Sequence, residues 1–180
     1  AIERNRLVVS YLGSVGSWYM LDEMLALCST IKHRYPDALF LFITHSSPES
    51  ILSKLSSYNI KESDVLIREA TRKEVPLYVK ASDINISFIQ AVYSKLSSSP
   101  TKLAEVLAMG VPVIVNEGVG DVKETVEGSG GGLVIKDFDD ETYKKIAEAI
   151  PELLQINAAL VREKIEPQYS LRHGVELYSA

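Results

Sequence analysis

Six short, strand-sized apolar runs, separated by stretches with helical spacing, limit the fold of this chain more than any other feature. A parallel strand that is covered by helices on both faces reads as a nearly continuous apolar run, and these runs do. Parallel neighbours also need a long crossover, which the stretches between the runs supply. We therefore predict an α/β protein with a doubly wound, mostly parallel, six-stranded sheet. The predicted strands are residues 7–12, 38–44, 63–68, 83–89, 111–115 and 133–135.

The predicted helices lie between these strands and carry recognisable start and stop signals. Thr71 and Glu74 have the spacing of a capping box, and Gly110 is typical of the residue just past a helix end. The pattern predicts helices over residues 20–33, 100–109, 121–127 and 140–154. The remaining residues also have a helical pattern, with a break expected near Pro167.

Composition predicts one globular domain that covers residues 1–180. The 180 residues are 46% hydrophobic and 24% charged, as is usual for a domain with its own core. Nineteen basic and twenty-four acidic residues give a net charge of −5, which argues against a nucleic-acid partner. The lone Cys28 cannot form an internal disulfide, and three scattered histidines lack metal-ligand spacing. We expect a reducing, cytoplasmic location and no bound metal.

The sequence also lacks the usual signals for crossing a membrane. No apolar run approaches the ~18–20 residues of a membrane-spanning helix, and the opening residues AIERNR lack the apolar core of a secretion signal. The first strand begins within a few residues of the start. Such a start is typical of a domain cut from a longer protein.

In doubly wound sheets, ligands bind beyond the carboxyl ends of the strands, where the strand order reverses. In the common six-stranded order, strands one and four flank that point. The loop after strand one is G-x-x-G, which is not the dinucleotide-binding fingerprint. It is either an ordinary strand–helix turn or a turn in which Gly13 and Gly16 let the backbone approach a ligand closely. We include Gly13 and Ser14 among the substrate-binding candidates.

The loop after strand four leads into a helix whose start is suited to an anion. Pro100 fits the first turn and Ser99 can cap it, so the amides of Thr101 and Lys102 are free to bind a diphosphate. The Lys102 ammonium adds positive charge. Glu105 lies one turn deeper, where its carboxylate can accept hydrogen bonds from ribose hydroxyls. The alternative is a surface ion pair between Lys102 and Glu105.

The segment SPTKLAEVLAMGVPVIV, residues 99–115, resembles the helix–strand segment of GT-B glycosyltransferases of the group 1 type. That family typically carries Glu, seven residues, Glu, and then Ala-x-Gly-x-Pro-Val. Weaker matches occur in the right order along nearly the whole chain. They include the first strand and its glycine turn, Ala81-Ser-Asp83 at the start of strand four, and Gly131-Gly-Leu-Val134 at the last strand.

The resemblance implies the carboxy-terminal, Rossmann-like half of a GT-B fold, which binds the donor in a retaining glycosyltransferase of glycan or polysaccharide synthesis. The donor would be a nucleotide-diphosphate sugar, with no further cofactor or metal. A sugar or lipid-linked acceptor would bind an absent amino-terminal half. Glu105 matches the family glutamate at the ribose, and Thr101 and Lys102 match the helix start at the diphosphate. Arg68 ends strand three, where the family contacts the base; a surface ion pair with Glu69 is the alternative.

The sequence departs from the family at two places. Ser97, followed by Ser98 and Ser99, stands where the first family glutamate contacts the donor sugar, so we include all three serines among the substrate-binding candidates. The Gly13 loop lacks the basic residues that often clamp the diphosphate; Lys102 or Lys95 could substitute.

No catalytic residue is identified, and three alternatives stay open. They are a non-catalytic nucleotide-binding module, a degenerate transferase half, and an epimerase or phosphorylase on the same fold. Peripheral membrane association of the full-length protein is also open. We expect the 180 residues alone to bind nucleotide without turnover.

Overall fold

A computed structural model describes residues 6–16 and 18–179. This part of the chain forms a six-stranded sheet in the order β3-β2-β1-β4-β5-β6, and every neighbouring pair of strands is parallel. The predicted α/β class and doubly wound sheet are confirmed, and the order is the common six-stranded one, in which strands one and four are neighbours. The strands are β1 (Val8–Leu12), β2 (Leu39–Ile43), β3 (Val65–Arg68), β4 (Ile84–Ser87), β5 (Val113–Asn116) and β6 (Gly132–Ile135).

The helices occupy the intervals that the sequence pattern indicates. Short 3-10 turns cover Leu55–Tyr58, Glu62–Asp64 and Tyr93–Lys95. The helices are α1 (Leu21–Arg34), α2 (Glu49–Leu52), α3 (Val75–Lys80), α4 (Thr101–Ala108), α5 (Val122–Ser129), α6 (Asp140–Leu153), α7 (Ala158–Tyr169) and α8 (Leu171–Tyr178). None of the helices in the described ranges is long and apolar enough to cross a bilayer.

The core has two layers, one on each face of the sheet. Val9 and Phe40 belong to the layer that contains buried residues of α1 and α6, whereas Val8 and Leu41 belong to the layer of α4, α5 and α7. Successive side chains of a strand point to opposite faces. Because both faces are covered, most positions along β1 and β2 favour an apolar side chain, and this produces the nearly continuous runs in the sequence.

A buried polar pair joins the two strands where the order reverses. The Asn85 side-chain amide on β4 donates to the Ser10 carbonyl oxygen at 3.2 Å. The same amide also donates to the Ser10 hydroxyl oxygen at 3.0 Å. Both residues are buried, so these hydrogen bonds offset the cost of removing the polar groups from water. The pair connects β1 to β4 directly beneath the edge at which a ligand is expected.

The expected break near Pro167 is wrong by three residues. Pro167 lies inside α7, and the chain leaves helical geometry at Ser170 (φ −71°, ψ 140°) before α8 begins. Proline removes one backbone donor, but its position in the last turn leaves the remaining bonds possible, and the Ser170 amide donates to the Glu166 carbonyl at 2.9 Å.

Candidate functional site

A cleft of about 390 Å³ opens at the carboxyl ends of β1 and β2. Its walls come from the ends of these two strands, the loop between β3 and α3, and the first turns of α4. We refer to it as the cleft. Its lining residues are Leu12, Gly13, Ser14, Ile43, Thr44, His45, Ala70, Arg72, Val75, Thr101, Lys102 and Glu105.

The turn after β1 brings bare backbone against the cleft. The Gly13 amide donates to the Ile43 carbonyl at 3.0 Å, and the Tyr11 hydroxyl donates to the Ser14 carbonyl at 2.6 Å. Burial raises the pKa of Tyr11 well above its usual value, so the hydroxyl stays a donor. A Cβ atom on Gly13 would lie 2.8 Å from the Tyr11 hydroxyl oxygen, so the position has no room for a side chain.

Helix α4 begins one residue later than the sequence indicates. Pro100 is the N-cap residue in extended geometry, and α4 starts at Thr101. The expected cap by Ser99 is wrong, because its hydroxyl donates instead to Asp121 Oδ2 at 2.8 Å. The backbone amides of Thr101 and Lys102 donate to no acceptor in the described part of the chain. They are therefore available to an anion in the cleft.

Lys102 and Glu105 both line the cleft, but they do not form the surface ion pair that was the alternative reading. No salt bridge of either residue occurs within the described ranges. The Lys102 ammonium instead lies 5.6 Å from the centroid of the Tyr19 ring. The Glu105 side chain is exposed in the cleft and accepts no hydrogen bond from a described residue. A cation and a carboxylate that form no ion pair with any described residue are therefore presented together at the start of α4.

Arg72 is a cleft residue that the sequence reasoning missed. It follows Thr71 in the loop after β3, and this loop folds over the cleft. Glu74 fixes the loop, because its Oε2 accepts hydrogen bonds from the Thr71 amide at 2.9 Å and hydroxyl at 2.7 Å. These bonds also lower the pKa of the Glu74 carboxyl. The available signal was the basic pair between Thr71 and Glu74. The expected capping box is wrong, because α3 starts at Val75 with Glu74 as its N-cap residue.

Two other cations from the sequence analysis lie elsewhere. Arg68 pairs with Ile43 at the end of β3, and its guanidinium donates to the Ile67 carbonyl at 2.8 Å. The Lys95 ammonium lies 5.3 Å from the centroid of the Trp18 ring. Neither residue is among the described lining residues of the cleft, so Lys102 and Arg72 supply its positive charge.

The three candidate serines lie in a neighbouring, more open pocket of about 400 Å³, here called the serine pocket. One wall is built by the contact of Gly120 with Ser98. Gly120 has φ +43°, and a Cβ atom there would lie 1.5 Å from the Ser98 carbonyl oxygen. The lining residues are Leu96, Ser97, Ser98, Ser99, Gly120, Asp121 and Glu124.

The structure thus assembles one set of candidates and separates another. Five lie together in the cleft, three lie in the serine pocket, and Arg68 lines neither. No cluster of His, Cys, Asp or Glu suited to a metal ion occurs among residues 6–16 and 18–179. The cleft set is Gly13, Ser14, Thr101, Lys102 and Glu105.

Comparison with known families gives one clear match. The model of the family described as glycosyl transferases group 1 matches residues 6–155, which is most of the chain. A search among curated proteins gave no match.

Solved structures of glycosyltransferases share the fold. WaaG, a glycosyltransferase involved in lipopolysaccharide biosynthesis, aligns with a TM-score of 0.78 at 19% identity, over 97% of this chain and 47% of that one. The C-terminal domain of LpcC, a group 1 glycosyl transferase from Francisella tularensis, aligns with a TM-score of 0.70 at 16% identity, over 92% and 87%. Sucrose-phosphate synthase from Thermosynechococcus elongatus aligns with a TM-score of 0.73 at 18% identity, over 99% and 46%. The chain therefore spans about half the length of WaaG and of the synthase, and most of the LpcC domain.

Proposed function

Because the chain belongs to the group 1 glycosyltransferase family, we propose that its cleft binds a nucleotide-diphosphate sugar, the donor of a sugar-transfer reaction. The observation that carries this proposal is the cleft itself. Bare backbone at Gly13, the ammonium of Lys102 and the carboxylate of Glu105 line one cavity at the carboxyl edge of the sheet. A diphosphate needs the first two groups, and a ribose suits the third.

The diphosphate binds against the start of α4 in this proposal. The amides of Thr101 and Lys102 point out of the helix, and the helix dipole adds positive potential there. As the bond between sugar and diphosphate breaks, negative charge builds on the leaving diphosphate. Donors that are already in place stabilise this charge without reorganising, which is the usual source of a large rate effect.

The nucleoside extends along the cleft from the diphosphate. Glu105 lies one turn deeper on α4 and accepts hydrogen bonds from ribose hydroxyls. Beyond it, Ala70 and Val75 provide apolar surface and Arg72 provides a second cation. Transfer then moves the sugar to an acceptor hydroxyl with retention of configuration.

We also propose that this chain is the carboxy-terminal half of a two-domain enzyme. Its length supports this, because it spans most of the C-terminal domain of LpcC but only about half of WaaG. The sugar or lipid-linked acceptor binds the amino-terminal half, in glycan or polysaccharide synthesis. The full protein works in the cytoplasm, with peripheral attachment at a membrane surface when its acceptor is a lipid.

Calorimetry with UDP, GDP and ADP tests donor binding by the 180-residue chain. We expect one of the three to bind, and the Lys102→Met variant to bind it about tenfold more weakly, since a charge-assisted contact contributes about 1.5 kcal/mol or more. Lys95→Met is the matched control, because Lys95 also lies over an aromatic ring but outside the cleft. Absence of binding by all three at millimolar concentration, with the amino-terminal half present, would refute the proposal.

One observation favours a second candidate, a nucleotide-binding module without transferase activity. Ser97, at the position of the first family glutamate, lines the serine pocket instead of the cleft. Incubating the complete protein with the bound nucleotide sugar and an acceptor separates the two functions. Transfer with the anomeric configuration of the donor supports the retaining enzyme, whereas tight binding without transfer supports the module. The 180 residues alone should not transfer sugar.

A further inference from the structure

The ammonium of Lys102 lies in the cleft, where it has a ring contact and no described carboxylate as a partner. No salt bridge of Lys102 occurs within the described ranges. Its Nζ lies 5.6 Å from the Tyr19 ring centroid and 3.2 Å from the point where a Cβ atom on Gly13 would sit. A lysine side chain has several rotatable bonds, so something must favour this arrangement over extension into solvent.

Tyr19 itself is held firmly by its backbone. Its amide donates to the Gly16 carbonyl at 2.9 Å, and it forms an antiparallel bridge with Ile89 in the segment after β4. The adjoining residues continue this pairing: the Met20 amide donates to the Phe88 carbonyl at 3.1 Å. Tyr19 is thus anchored between the strand ends at which the sheet order reverses.

The Tyr19 ring is also held in place by a neighbouring aromatic ring. It packs edge-on against the Tyr11 ring, with 6.2 Å between centroids and an interplanar angle of 69°. Tyr11 is buried, and its hydroxyl donates to the Ser14 carbonyl. The ring face that Lys102 contacts therefore has a defined position relative to the Gly13 turn.

An aromatic face and a carboxylate hold an ammonium in different ways. The ring attracts the cation through its quadrupole but does not neutralise its charge, and N–H donors that face away from the ring stay available. A carboxylate would neutralise the charge and compete with a phosphate for the same donors. We infer that Tyr19 is a positioning residue that holds Lys102 beside Gly13 for the diphosphate. This inference depends on the proposed function only for the identity of the ligand.

A double-mutant cycle on the full chain tests the inference. The variants are Tyr19→Leu, Tyr19→Phe, Lys102→Met and the double variant Tyr19→Leu/Lys102→Met, and calorimetry measures binding of the nucleoside diphosphate and of the matching nucleoside without phosphates. We expect Tyr19→Leu to weaken diphosphate binding by about three- to tenfold while nucleoside binding stays constant. Tyr19→Phe keeps the ring and should bind within about twofold of the unchanged protein.

The double variant separates positioning from general structural damage. If Tyr19 acts through Lys102, Tyr19→Leu should have no further effect in the Lys102→Met background. Equal weakening of nucleoside and diphosphate binding, or the same fold-change in both backgrounds, would overturn the inference. Thermal unfolding of each variant identifies any that fails to fold. If Tyr19→Leu is one of these, Tyr19→Met, which also lacks the ring, takes its place in the cycle.

A measurement without ligand distinguishes failure of this inference from failure of the proposed function. The Tyr19 ring should shift the Lys102 Hε resonances upfield in the NMR spectrum, and Tyr19→Leu should abolish the shift. If the shift is present but no nucleoside diphosphate binds, the placement of Lys102 stands and the proposed function fails. If a nucleoside diphosphate binds but the shift is absent, the role of Tyr19 is wrong.

Discussion

The cleft and the serine pocket lie at the same edge of the sheet and have similar volumes, about 390 and 400 Å³, but their charges are opposite. Arg72 and Lys102 give the cleft two cations beside Glu105. The described lining of the serine pocket contains Asp121 and Glu124 and no basic side chain. The topology thus provides two openings of similar size, and the charge of a few side chains decides which of them suits an anion.

Asp121 of the serine pocket and Lys102 of the cleft also differ in their partners. Asp121 Oδ2 already accepts hydrogen bonds from the Ser99 hydroxyl at 2.8 Å and the Tyr169 hydroxyl at 3.2 Å. These bonds connect α5, α7 and the segment before α4, so Asp121 helps to hold the fold together. Lys102, in contrast, has no carboxylate partner among the described residues. Groups that are not used to hold the fold are the ones available to a ligand.

The largest effect should come from the wall of the serine pocket. Gly120→Ala places a Cβ atom 1.5 Å from the Ser98 carbonyl at a φ of +43°, so the loop must move. We expect a loss of about 2–3 kcal/mol in the free energy of unfolding, measured by urea denaturation. Gly16→Ala is the matched control, because a Cβ atom there meets nothing within 4 Å. Equal stability of the two variants would show that the wall is not rigid.

Reversing one charge should make the cleft resemble the serine pocket. Lys102→Glu removes the cation and adds a carboxylate beside Glu105, so diphosphate affinity should fall by about fiftyfold, or ~2.3 kcal/mol. Calorimetry at low and high salt measures the change, since repulsion between exposed charges is screened by salt. Unchanged affinity would place the diphosphate outside the cleft.

A smaller effect is expected from the ribose contact. Glu105→Ala should weaken nucleoside diphosphate binding by about fivefold, or ~1 kcal/mol, because it removes a hydrogen-bond acceptor. The same variant should lose the preference for ribose over 2′-deoxyribose, which competition titration with the two nucleotides measures. A preference that survives the substitution would assign the ribose to another residue.

The smallest effects should have opposite signs at the two sites. Arg72→Gln removes a cation from the cleft and should weaken diphosphate binding by about two- to threefold. Glu124→Gln removes a carboxylate from the serine pocket. This change should strengthen diphosphate binding in the cleft by less than about twofold, because the charge is distant and screened. Changes of the same sign would mean that the charge difference between the sites does not control binding.

Much of the candidate site could be predicted from the sequence, for reasons that differ from residue to residue. Gly13, Thr101, Lys102 and Glu105 follow directly from the strand–loop–helix order, because parallel strands bring their carboxyl ends to one edge. Arg72 was missed because only the folded loop after β3 shows that it turns over the cleft. Ser99 was read as a helix cap because capping is a local preference, whereas its partner Asp121 lies 22 residues away.

The sequence by itself determined the α/β class and the alternation of six strands with helices, and it indicated the sheet edge at which we propose a ligand. Each of these follows from local patterns: continuous apolar runs, helical spacing and short connections. Only the tertiary structure decided that the three serines lie outside the cleft and that Arg72 lies within it. It also decided that Lys102 lies over the Tyr19 ring instead of pairing with Glu105. Contacts between side chains distant in sequence depend on the relative positions of whole elements, which no local pattern contains.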